Sequence, residues 1–364
     1  MKVIIIGAGV AGLAIAWRMA KSGAQVLVLD RAQPARGATY ASAGMIAATA
    51  EAAVAGSPGV LFGRRSRDLW PDFAKELESA SGVEITFRQD GALIVPAGSE
   101  DAERLQREAM GGDAEFLGPE QARMRAPMLP PDIPGALWAP RDGQVDNRAL
   151  GQALTNAAIR AGAKLSANEA AVRIEQADSG EFVVLTAFRI HRADVVVLAA
   201  GAWSGEIGGL AADLPIRPVK GEMLALVAPE GEGLPGPLLW GHGVYLVPRK
   251  DRIFIGATVE EVGFDTMPSA HARSWLLERA RALAPGLREW SVREHWAGLR
   301  PASPDGLPII GESSMPGLFI ASGQYRNGIL LAPALAEAVA QLILKQEPAE
   351  EIAAFSPVRF DRAQ

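Results

Sequence analysis

Six residues near the start of the chain, Gly7-Ala8-Gly9-Val10-Ala11-Gly12, have the G-x-G-x-x-G spacing that can hold a pyrophosphate. Gly7 would permit the tight turn, Gly9 would let backbone approach the phosphates, and Gly12 would let a helix pack closely on a strand. Asp30 stands about twenty residues further on, where a carboxylate accepts hydrogen bonds from an adenosine ribose. Arg31 follows it, and can either favour a 2′-phosphate or be a surface arginine after a strand. A second match to the pattern, Gly231 to Gly236, contains Pro235 and runs into Pro237, so it reads as a loop. One dinucleotide is therefore expected, not two.

Such a fingerprint needs a strand before it and a helix after it. Lys2 to Ile6 is β-branched and continuously apolar, as a parallel strand buried on both faces would be. Val10, Leu13, Ala14 and Trp17 fall at i, i+3, i+4 and i+7, the stripe of an amphipathic helix. A second buried strand, Gln25 to Leu29, closes on Asp30. The opening residues could also start a secretory signal peptide, but such a peptide has no reason to be followed by this strand and acid, so export is rejected.

Further along, Gly37 to Ile46 is rich in small residues, which suit either close backbone approach to a ligand or a tight turn. Leu61 to Ser81 and Asn147 to Ala161 read as helices, and Val83 to Phe87 and Gly91 to Val95 as short strands. Pro119 to Pro140 reads as irregular. Val183 to Ala187 and Arg189 to His191 read as meander strands, and Ala193 to Gly201 as another buried strand. Glu222 to Val227, Val244 to Pro248 and Ile253 to Gly256 suggest an antiparallel sheet, with the helix Ser269 to Leu283 packed on it. Gly317 to Gly323 reads as a strand, and a turn at Gln324 to Gly328 leads into a final helix. That turn carries Arg326 and is either an ordinary connection or a second helix dipole aimed at an anion.

Composition excludes several classes. The 364 residues carry a formal charge of −6, without the basic footprint of a nucleic-acid binder. The cluster Arg64, Arg65 and Arg67 reads as a solvated helix face. There is no cysteine, which rules out disulfides, iron–sulfur clusters and thiolate metal sites and is compatible with cytoplasm. The four histidines, His191, His242, His271 and His295, are too scattered for a metal cluster. No apolar run reaches the roughly twenty residues that span a bilayer.

Taken in order, the landmarks resemble the D-amino-acid oxidase family of flavoproteins, and within it most nearly the bacterial glycine oxidases. The resemblance runs through VIIIGAGVAGLAIAW with Leu29-Asp30, ASAGMI (41–46), ADVVVLAAGAWS (193–204) and PVKGEML (218–224). It continues through VYLVPR (244–249), IGAT (255–258), WAGLRPASPDGLPIIG (296–311) and YRNGILLAP (325–333). It implies an α/β fold: a Rossmann-like FAD-binding domain from residues 1–84, 145–215 and 299–364, and a mixed or antiparallel-sheet substrate domain from 85–144 and 216–298.

The resemblance also implies that FAD is the dinucleotide. The adenosine and pyrophosphate would meet Val10, Ala11, Asp30 and Arg31, and the flavin side would meet Thr39, Ala43, Gly44 and Met45. Val172 would contact adenine through its backbone. Gln324, Tyr325, Arg326, Asn327, Gly328, Ile329 and Leu330 would reach the isoalloxazine. Tyr245, Arg300 and Arg326 match substrate positions, and physics agrees: a planar guanidinium can hold a carboxylate bidentately, and a phenol can add a hydrogen bond. The reaction implied is hydride transfer from the Cα of a small amino acid to flavin N5, giving an imine that hydrolyses to a 2-oxo acid and ammonia. Oxygen would reoxidise the flavin to yield hydrogen peroxide.

Three positions depart from the pattern. Gly243 stands where a histidine often precedes the tyrosine, Val259 where a methionine is common, and Gln324 where a histidine is common. Smaller residues would widen the pocket, so N-methylglycine and small D-amino acids compete with glycine as substrate. Lack of cysteine, and of a histidine beside the fingerprint, argues for noncovalent FAD. A D-amino-acid dehydrogenase passing electrons to a quinone or carrier is the first alternative, and a noncatalytic FAD-binding protein the second. The family precedent also allows a homo-oligomer, and a part in thiamine synthesis.

Overall fold

The continuous apolar run of the first strand is explained by what lies on its two sides. In the computed structural model, Val3 and Ile5 point into one core and Ile4 and Ile6 into another. The first core is a layer of helices: Val10–Lys21, Pro58–Ser81, Asn147–Arg160 and Gly328–Ile343. The second lies against an antiparallel meander, Ala171–Gln176, Phe182–Thr186 and Ile190–Ala193. The structure describes residues 1–50, 56–109, 113–210, 213–229 and 236–360.

Between these layers is a six-stranded sheet in the order Ile309–Glu312, Leu318–Ser322, Val195–Leu198, Lys2–Ile6, Gln25–Leu29 and Lys164–Ser166. It is parallel except for its Ile309–Glu312 edge. The fingerprint therefore leaves the middle of the sheet, at the carboxyl ends of strands, where doubly wound folds bind ligands.

A second, eight-stranded sheet runs Ser291–Ala302, Arg217–Val227, Ile253–Gly256, Val244–Pro248, Leu238–Gly241, Ala92–Ile94, Ala136–Ala139 and Glu115–Leu117. It is mixed, because Leu238–Gly241 pairs in parallel with Ala92–Ile94. Its apolar face is covered by the helix Ala270–Leu283, whose Leu276, Ala280 and Leu283 pack with Leu224, Leu246 and Ile255. The fold class is thus as expected, and several local readings need correction.

Val83 to Phe87 is no strand, since Thr86 takes a left-handed φ of 50° and only Arg88 bridges to Gln144. The segment read as irregular holds the helix Pro119–Arg125, started by proline at its first turn, and the strand Ala136–Ala139. Arg67 is not on a solvated face: it is 1% exposed beside Asp142, which is 0% exposed. The loop read at Gly231 to Gly236 lies almost wholly outside the described residues.

Candidate functional site

Gly7 carries the turn as expected, with φ at 109° and its N–H bonded to Leu29 O at 2.8 Å. A Cβ on it would lie 2.2 Å from Ala199 O, so only glycine lets the first strand meet the Val195–Leu198 strand here. Gly12 is needed for a different contact, since its Cβ would fall 1.9 Å from Gly7 O. Gly9 is the exception. A Cβ there would meet only the Thr39 hydroxyl, at 3.6 Å, so the protein itself leaves this position open. The helix after it starts without a capping side chain, although Thr39 Oγ1 accepts the Val10 N–H at 2.9 Å.

Asp30 receives the N–H groups of Ala8 (2.6 Å) and Ala32 (2.8 Å). Burial pushes its pKa up, and those two N–H groups and Arg31 offset only part of the effect. Arg31 lies over the Trp203 ring at 4.5 Å, and Trp203 stacks on Phe264 at 5.6 Å.

Residues 43–45 are fixed from behind. The buried guanidinium of Arg249 donates to Ala43 O (2.6 Å) and Val145 O (2.8 Å), and Met45 pairs with Gln144. Burial lowers the Arg249 pKa to about 10. Asn147 holds the carbonyls of Thr39 and Tyr40, each at 2.9 Å, and Asp142 accepts the N–H groups of Thr49 and Ala50. None of these supporting residues was foreseen. The sequence signal would have been polar residues interrupting apolar stretches, which many surface positions share.

Tyr245 and Arg300 come from the second sheet, and each lies over a glycine of the adjoining strand. A Cβ on Gly256 would be 2.4 Å from the Tyr245 hydroxyl, and one on Gly221 would be 2.2 Å from Arg300 Nη2. The Arg300 Nη1 donates to Lys220 O and Thr258 O, both at 3.1 Å. Tyr245 is buried, with its hydroxyl 3.7 Å from Met223 Sδ.

The C-terminal turn closes the arrangement. Tyr325 takes φ of 48° and its N–H reaches Pro301 O at 2.9 Å, tying the turn to the strand that bears Arg300. Gln324 is buried, and its Nε2 finds no hydrogen-bond partner among the described residues.

These groups surround one cavity of about 740 Å³, within the size range of small-molecule and cofactor sites. Gly7, Gly9, Val10, Ala11, Asp30, Arg31, Thr39, Ala43, Gly44 and Met45 line it, as do Val172, Tyr245, Arg300 and residues 324–329. Of the residues named from sequence, Gly12 and Leu330 do not. Gly12 packs against the turn, and Leu330 O instead accepts from Ser66 Oγ (2.7 Å) and Trp70 Nε1 (3.0 Å) among the helices. Among the described residues, no cluster of His, Cys, Asp or Glu is arranged to hold a metal, and no helix is long and apolar enough to cross a membrane.

The model of the family described as FAD dependent oxidoreductase matches residues 2–342. The chain is 38% identical to a bifunctional protein ThiO/ThiG of Synechocystis sp. over 98% of its own length and 54% of that protein's. It thus spans about half the length of the curated relatives it first matches. It is 36% identical to a glycine oxidase of Geobacillus kaustophilus, covering 98% of this chain and 96% of that protein. The crystal structure of glycine oxidase from the same organism superposes with a TM-score of 0.92 at 35% identity, covering 98% of each chain.

The site's own features fit FAD. Gly9 leaves a cradle that a Cβ would fill, a helix N-terminus faces it with no side chain at its N-cap residue, and the buried Gln324 Nε2 has no hydrogen-bond partner among the described residues. With sequence, fold and cavity agreeing, the chain belongs to the family of FAD-dependent oxidoreductases, is glycine oxidase-like, and takes FAD as its cofactor.

Proposed function

We propose that the protein oxidises glycine or another small amino acid, with N-methylglycine and small D-amino acids in the same class. The observation that carries this reading is the pairing of Arg300 and Tyr245 in the cavity that the glycine fingerprint also lines. Arg300, held at Nη1 by two carbonyls, offers its remaining edge to the substrate carboxylate. The Tyr245 hydroxyl adds a hydrogen bond that fixes the orientation. Arg326, exposed at the cavity edge, supplies further positive charge.

No side chain has to take a proton from Cα. The only carboxylates lining the cavity among the described residues are Asp30 and Glu206, and no histidine or lysine lines it. Asp30 is occupied with Ala8 and Ala32 N–H groups. The amine therefore loses its proton before or on binding, and the protein contributes position and electrostatics. FAD, held noncovalently by the fingerprint, Asp30 and residues 43–45, would supply the hydride-accepting chemistry, with oxygen as the final electron acceptor and hydrogen peroxide as its product. The imine then leaves and hydrolyses in water to a 2-oxo acid and ammonia, or feeds thiazole assembly in thiamine synthesis.

The proposal includes a two-domain division at residues 85, 145, 216 and 299, a cytoplasmic setting and a homo-oligomer. Peroxide formation over a panel of glycine, N-methylglycine and D- and L-amino acids tests the function. Turnover of glycine or one small D-amino acid is expected, and peroxide from none of them would overturn the reading.

A further inference from the structure

Strand Arg217–Val227 presents Gly221 and Met223 to the cavity, and alternation puts Lys220 and Glu222 on its other face. Both are buried there, with Lys220 Nζ 3.0 Å from Glu222 Oε1. Glu222 Oε2 also accepts the N–H of Ser269 at 2.9 Å and sits 2.8 Å from His295 Nε2. A buried ion pair is a poor way to gain stability, since apolar residues of similar volume often do as well. Its other contacts give it a purpose.

Lys220 Nζ donates to Met267 O at 2.6 Å and lies 3.6 Å from Asp265 and 3.9 Å from Glu260. It thus ties residues 260–267 to the strand. That segment begins just after Thr258, whose carbonyl holds Arg300 Nη1, and includes Thr266, which lines the cavity. The backbone of Lys220 completes the link, exchanging hydrogen bonds with Glu260 (2.9 and 3.0 Å) while its carbonyl also accepts from Arg300. Thr258 is held in turn, its hydroxyl accepting the Glu222 N–H at 2.9 Å and donating to Glu260 at 2.5 Å.

We propose that Lys220 is a positioning residue for the carboxylate clamp: from the far face of the sheet it fixes the two carbonyls that aim Arg300. This rests on the reading of Arg300 as the carboxylate ligand. With Nη1 fixed, the Nη2–Nε edge is presented side-on to the substrate. Releasing the ammonium frees the segment and lets the fork swing, weakening substrate binding more than the chemical step.

The test uses FAD-loaded protein and two variants, Lys220→Met and Lys220→Met/Glu222→Gln, the second leaving no unpaired buried carboxylate. Glycolate and acetate, carboxylates without an amine, serve as probes through their perturbation of the flavin spectrum, with melting temperature and FAD affinity measured alongside. For the double variant we expect KM and the glycolate Kd to rise about tenfold, the scale of one hydrogen bond to a charged group. The kcat and FAD affinity should stay close to the parent values. Unchanged KM and Kd in the double variant, with both lost in Arg300→Ala, would overturn the role of Lys220 and leave the clamp intact. Losses in kcat, KM and FAD affinity alike would make Lys220 a merely structural residue and also overturn it. Glycolate binding undiminished in Arg300→Ala would remove the clamp reading, and this inference with it.

Discussion

Arg300 and Tyr245 do their work across glycines, and the consequence can be measured at a single residue. The Cβ of alanine at position 221 would fall 2.2–2.4 Å from the guanidinium, which is the far end of a flexible side chain. The side chain can move away at little cost to the fold, but it leaves Lys220 O and Thr258 O when it does. Gly221→Ala should therefore raise KM for the amino acid about tenfold, as lost hydrogen bonds to a charged group would. Its melting temperature should stay near the parent's. A variant with unchanged KM would show that the fork need not lie flat on this strand. The arginine and tyrosine could be named from motif context, but the glycines beneath them could not. They lie 79 and 11 residues away from those side chains and meet them only through strand register. Lys220 and Arg249 were missed for the same reason, because their roles rest on carbonyls far along the chain.

Between elements, the meander is pinned to the parallel sheet by Glu169. Its N–H donates to Asp30 O at 2.7 Å, and its carboxylate accepts from Ser166 (2.5 Å) and Thr186 (3.0 Å) and meets His191 at 2.7 Å. Those partners, His191 first and Ser166 next, lower its pKa from 4.5 to about 2. A depressed carboxylate contributes stability above its unfolded-state pKa and loses it as pH falls through the folded one. Glu169→Gln should therefore melt below the parent at pH 6, and the gap should close as pH falls from 4.5 towards 2. A gap independent of pH would deny this carboxylate its role. Elements were legible where one period dominated. Val195–Leu198 is buried throughout, and its continuous apolar run says so. Val83 to Phe87 has β-branched and aromatic residues at Val83, Ile85, Thr86 and Phe87, but it lies in a connection that pairs with no strand among the described residues, and β propensity cannot supply a partner. Ala136–Ala139 was hidden by the prolines before it, which precede the strand without interrupting it.

In the whole molecule, two sheets built from separate parts of the chain meet at one cavity. The first brings a helix N-terminus and Asp30, and the second brings Arg300 and Tyr245. The strand Ser291–Ala302 bears Arg300, and Pro301 O binds the turn that starts the last helix, so the two halves are joined at the clamp. The fingerprint's local signals made the first half readable from sequence. Long-range pairing, which no short window contains, builds the second. The central claim is that an amino acid held by Arg300 gives up its electrons here. The most direct measurement is anaerobic mixing of glycine and small D-amino acids with FAD-loaded protein, followed at the flavin absorbance band. The account predicts bleaching by at least one of them, and its loss at the same concentration in Arg300→Ala. A flavin that stays oxidised with every one of them, or bleaches equally well without Arg300, would contradict it.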